Sequence, residues 1–181
     1  MSHQVALATA SLVDSQLRRL IPGGFLRSRD MYTLVIVDVQ TMFPAAAKRK
    51  VRRAIVREIE AAKAAQCPVI VVEFEASGVT YKNIRDALSD YPRKARVLKD
   101  KDDGSEGVDA VLPKLSLNRK VRLCGVNTDA CVLATAQGLK RKRYTIEVVV
   151  SACAAEDEEE HETGLYLLAE MGAKLLEEEA A

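Results

Sequence analysis

Cys131, Asp38 and Lys99 are the residues of this 181-residue chain best suited by type and spacing to do chemistry. Cys131 lies in the stretch Cys124-Gly125-Val126-Asn127-Thr128-Asp129-Ala130-Cys131-Val132. The apolar run Val121 to Val126 reads as a buried strand. Thr128 is expected to cap the helix that follows, whose apolar face is Val132, Ala136 and Leu139. Cys131 then falls in the first helical turn, where free N–H groups and the positive dipole end favour a thiolate. A thiol so placed is a candidate nucleophile. The alternative is a small buried hydrophobe, the usual role of a free cysteine.

Asp38 closes the β-branched run Tyr32-Thr33-Leu34-Val35-Ile36-Val37, the composition of a parallel strand covered on both faces. It would stand at the carboxyl end of that strand, where open α/β sheets bind ligands. A carboxylate buried there needs a partner. The short run Ala95 to Leu98 predicts another strand, and Lys99 follows it. Lys94 and Lys101 compete for the same role, and a solvated surface lysine is the plain alternative. For Asp38 that alternative is a cap on the next loop.

The elements that must position these groups alternate regularly. Strands are expected at Leu34–Asp38, Val69–Phe74, Ala95–Leu98, Val121–Val126 and Ile146–Val150, with a sixth near Ala173–Leu176. Helical stripes run through Val51, Ile55, Ile59 and Ala62, through Val108, Val111, Leu112 and Leu115, and through Leu165, Leu168 and Met171. This order implies an α/β fold, a doubly wound, Rossmann-like three-layer sandwich with a mostly parallel sheet of five to six strands. Residues 32–181 read as one domain and residues 1–31 as an N-terminal extension. Leu7 to Leu20 would form a helix there, broken by Pro22-Gly23-Gly24. The acidic run Glu156 to Glu160 suits a helix start.

Composition narrows the class of function. The chain has 27 Lys and Arg against 26 Asp and Glu, a net charge of +1, which gives no reason to propose nucleic acid or a membrane surface as partner. No apolar run is long enough to span a bilayer, and Met1 to Leu20 lacks the build of a signal peptide. Four scattered cysteines suit a reducing, cytoplasmic compartment.

Asp38-Val39-Gln40 with Phe43, then Lys99, then Gly125 to Val132 resemble the signatures of the isochorismatase-like cysteine hydrolases, which include nicotinamidases and N-carbamoylsarcosine amidase. The resemblance covers about Tyr32 to Leu176, with Ser151-Ala152-Cys153-Ala154 similar to a small-residue turn of that family. It implies a catalytic set of Asp38, Lys99 and Cys131, and a cis peptide at Val126–Asn127. The chemistry of the residues agrees. Asp38 can accept the thiol proton, Lys99 can keep Asp38 ionised, and the N–H groups of Asn127 and Cys131 can receive an oxyanion. Phe43, Phe74 and Thr128 are candidates to line the pocket.

The family's nicotinamidases bind a metal through an aspartate and several histidines. Here the only histidines are His3 and His161. His161, with Leu165 and Leu168 at i+4 and i+7, reads as a packed or half-buried side chain. The cysteines lack C-x-x-C spacing. No metal or other cofactor is therefore expected. The expected function is cleavage of a C–N bond in a small amide or carbamoyl compound through a thioester, by a homo-oligomer. The alternative is a catalytically silent domain serving assembly or interaction. A redox-active thiol protein is a weaker third reading, since no resolving-cysteine motif is present.

Overall fold

The first described element, β1 (Thr33–Val37), is a central strand of the sheet, and all five of its residues are buried. This computed structural model describes residues 31–177. The expected N-terminal helix and His3 lie outside those residues. From Tyr32 onward the described chain packs as one unit.

Five more strands flank β1. They are β2 (Val69–Phe74), β3 (Lys94–Lys99), β4 (Lys120–Val126), β5 (Thr145–Ala154) and β6 (Lys174–Leu176). The spatial order is β3-β2-β1-β4-β5-β6, and every pair is parallel. The chain works outward from β1 to β3, then crosses back and works outward again from β4. The crevice at the carboxyl ends of β1 and β4 is therefore the switch point where doubly wound sheets hold ligands.

Five α-helices cover the sheet: α1 (Arg49–Ala64), α2 (Lys82–Ala87), α3 (Ser105–Leu115), α4 (Leu133–Arg141) and α5 (Glu158–Glu170). The first two pack together on one face; α3, α4 and α5 follow one another across the other. Helix α1 buries the stripe the sequence predicts, Val51, Ile55, Ile59 and Ala62, with Ala54 added. Burial of each Val or Ile there contributes about 1.5–3 kcal/mol relative to exposure. Asp157 caps α5 by accepting the Glu160 N–H at 2.9 Å, and Glu158 to Glu160 fill the first turn.

The strands are close to expectation, with one correction. β5 does not end in a small-residue turn at Ser151 to Ala154. It continues through those residues, because an irregularity opposite Leu123 to Gly125 lets Cys153 and Ala154 pair with Gly125 and Val126. Gly125 has φ +132°, and a Cβ there would sit 2.1 Å from the Val37 carbonyl oxygen. Only glycine lets β4 approach β1 this closely just below the switch point. Gly125→Ala is expected to cost about 3 kcal/mol or more. A urea unfolding midpoint equal to that of the wild type would contradict this.

Candidate active site

Asp38 follows β1 directly and adopts φ +55°, a left-handed conformation that aspartate tolerates better than most residues. Its N–H donates to the Val72 carbonyl at 2.9 Å, and its own carbonyl accepts the Gln40 N–H at 2.7 Å. Gln40 locks this turn. The buried side chain donates to the Phe74 and Gly78 carbonyls, both at 2.9 Å, and accepts the Phe74 N–H at 2.7 Å. A glutamine placed two residues after a strand-end aspartate was the sequence's only signal for this clamp.

Lys99 is the last residue of β3 and is as buried as Asp38 requires. Its Nζ lies 2.7 Å from Asp38 Oδ2, with side-chain exposures of 4% and 0%. The ammonium also donates to the carbonyls of Lys101 (3.1 Å) and Asp102 (3.0 Å). It stands 4.5 Å over the Phe74 ring. Phe43 meets Phe74 edge to face at 6.4 Å. The competing lysines are elsewhere. Lys101 is exposed, and Lys94 opens β3 at its other end, donating to the Leu88 and Ser89 carbonyls.

Cys131 lies in a single π-helical turn, Thr128–Val132, that joins β4 to α4. The Asn127 carbonyl accepts the N–H groups of Ala130 (3.2 Å) and Val132 (3.0 Å). Thr128 does not cap this turn. The turn begins one residue too early for that, and the buried hydroxyl instead meets His161 Nδ1 at 2.8 Å. Thr128 therefore fastens the turn that carries Cys131 to α5. Gly164 of the same helix lies so close that a Cβ would fall 2.5 Å from the Asp129 nitrogen. The Val126–Asn127 peptide is trans, against the cis bond implied by the resemblance.

The three candidate residues do converge. The Cys131 thiol donates to Asp102 Oδ1 at 3.6 Å, and Cys131 and Asp38 are close enough for each to shift the other's proton affinity. The surroundings of the thiol favour its protonated form over the expected thiolate. Burial, followed by the Asp38 charge, pushes Cys131 up to about 12, with Lys99 opposing. Burial also raises Asp38 above the usual carboxylate value, while Lys99 and the thiol pull it back. Apart from the Lys99 ion pair, no donor among the described residues satisfies the Asp38 oxygens.

His161 is half-buried, as its spacing suggested, and burial lowers its pKa. The neutral ring is the form the fold prefers. The unfolded chain therefore binds a proton first as pH falls, and stability is lost below the ordinary histidine value. His161→Gln is expected to flatten the pH dependence of the melting temperature in that window. An unchanged slope would show that His161 does not titrate in the fold.

Among the described residues no group of three or more His, Cys, Asp or Glu side chains is arranged to hold a metal ion. Nor is any helix there long and apolar enough to cross a membrane.

The sheet is all-parallel and doubly wound, and an acid, a lysine and a cysteine stand at its switch point, an arrangement that places the chain among the isochorismatase-like α/β proteins. The isochorismatase domain model matches residues 32–180, and the chain belongs to that family. Isochorismatase domain-containing protein 2 of Xenopus laevis is 29% identical over 122 residues, 66% of this chain. The chain spans 57% of that relative's length. Among solved structures, the nicotinamidase of Staphylococcus aureus superposes with a TM-score of 0.71 at 24% identity. That match covers 80% of this chain and 97% of the other. The MAR1 ribonuclease of Caenorhabditis elegans superposes with a TM-score of 0.73 at 22% identity, covering 81% and 77%. At these identities the structural matches establish the fold.

Proposed function

We propose that this chain is a cysteine hydrolase that cleaves the C–N bond of a small amide or carbamoyl compound. The observation that carries the reading is the buried Asp38–Lys99 ion pair set against the Cys131 thiol. As Sγ attacks the carbonyl carbon, the thiol proton passes to Asp38. Lys99 keeps Asp38 ionised until that moment. The carbonyl oxygen becomes an oxyanion, received by the N–H groups of Asn127 and Cys131. Collapse breaks the C–N bond, and Asp38 returns the proton to the departing nitrogen. Water then attacks the thioester, with Asp38 again taking a proton, and a carboxylic acid leaves. Phe43 and Phe74 form the apolar wall beside Lys99.

The donor set does not fit a nicotinamidase-type metal centre, so no step is routed through a metal. The four described cysteines are all free and buried, which supports a reducing, cytoplasmic setting.

Ammonia release from a panel of small amides and ureas, with and without a chelator, tests the reading. Turnover that survives chelation is expected; loss restored by zinc or iron would overturn the metal-free mechanism. The acid limb of kcat/KM should follow Asp38. Because its pKa is raised, activity should fall as pH drops, before the ordinary carboxylate range is reached. A profile flat down to that range would remove Asp38 as the base.

A further inference from the structure

A second carboxylate faces the nucleophile. Asp102 Oδ1 is 3.6 Å from Cys131 Sγ, and the residue is exposed, so its charge looks into the open side of the site. Its place is built. The Asp102 carbonyl accepts from Lys99 Nζ at 3.0 Å and from the Thr135 hydroxyl at 3.4 Å. Thr135 in turn accepts the Gly104 N–H at 3.0 Å. Next door, Asp103 accepts the Ser105 N–H at 2.8 Å and pairs with Arg141 at 3.1 Å. The loop is thus held on both sides of Asp102.

Asp38 and Lys99 neutralise each other. Among the described residues no cation pairs with the Asp102 carboxylate, so it leaves one net negative charge beside a neutral thiol. A group one or two bonds from a carbonyl carbon attached to Sγ would come within hydrogen-bond reach of Oδ1. A cation or N–H donor there would be attracted, whereas a carboxylate would be repelled at short range in a partly desolvated site.

We propose that Asp102 is the residue that sets substrate specificity, selecting small amides with a cationic amino group next to the scissile carbonyl and excluding those with a carboxylate there. The proposal rests on the hydrolase reading for its substrate class. Charge selection at Cys131 can be measured without turnover.

Cys131 is labelled with 2-aminoethyl methanethiosulfonate, a cation, and with its 2-sulfonatoethyl counterpart, an anion. Mass spectrometry separates Cys131 from the other cysteines. The cation-to-anion rate ratio should be about tenfold or more higher in the wild type than in Asp102→Asn, and Asp102→Glu should keep most of it. In parallel, the preference for glycinamide over oxamate in kcat/KM should collapse in Asp102→Asn. An equal labelling ratio in wild type and Asp102→Asn overturns the proposal, as does failure of the cationic reagent to reach Cys131. If the ratio changes as expected but no amide is hydrolysed, the hydrolase reading fails and charge selection by Asp102 stands. If amides are hydrolysed with an unchanged ratio, only the role of Asp102 is lost.

Discussion

Cys131→Ala is expected to lower ammonia release from any amide the wild type cleaves by about 10⁴-fold or more, and Cys131→Ser nearly as far. Alanine removes the atom that forms the thioester. Serine keeps an oxygen in its place, but a hydroxyl yields its proton far less readily than a thiol, and Asp38 is only a carboxylate. Both variants should melt within a few degrees of the wild type, since the change is one buried sulfur atom. The wild type, quenched in acid during turnover, should carry the acyl mass on the peptide containing Cys131. Activity retained in Cys131→Ala would sink the covalent mechanism, because no other cysteine shares the contact with Asp38.

The fold was legible in the sequence because two periodicities were clean. The β-branched run at Thr33 to Val37 could only be a covered central strand, and the stripe from Val51 to Ala62 could only be an amphipathic helix. Lys99 was harder to place. Its strand is an edge strand whose outward residues, Lys94, Arg96 and Leu98, are exposed, so the pattern there resembles a surface loop. The strand's parity separates Lys99 from Lys94, because it points Val97 and Lys99 inward together, whereas Lys101 shares that parity but lies past the strand's end and is exposed.

Three features lay beyond a reading by local pattern. Thr128 has the composition of a cap, but a histidine 33 residues away takes its hydroxyl. The thiol sits at the start of a helix, but burial and the Asp38 charge outweigh the dipole. Asp102 reads as loop punctuation beside Asp103 and Gly104, and its nearness to Sγ appears only when the β3–α3 connection folds over α4. Each depends on a contact distant in sequence, which no window of residues contains.

Breaking the buried ion pair should show how much the fold gives up for the site. Lys99→Met leaves the Asp38 carboxylate buried without a cation, a loss of about 3–5 kcal/mol. Asp38→Asn should cost less, because the stranded ammonium keeps the Lys101 and Asp102 carbonyls and the Phe74 ring. The double variant should be more stable than the sum of the single losses predicts, since neither charge is then left alone. The pH dependence separates this from simple packing damage. In Lys99→Met the Asp38 pKa should rise further, as its largest cationic partner is gone. An acid whose pKa is raised by folding destabilises the native state above that folded value and ceases to do so below the unfolded one. Lys99→Met should therefore regain stability relative to the wild type as pH falls through the raised Asp38 pKa, and Asp38→Asn should not. Urea midpoints across that range decide it. Strictly additive losses, or a Lys99→Met deficit that does not change with pH, would mean that the two side chains meet without sharing charge, and Asp38 would lose its claim to be the base.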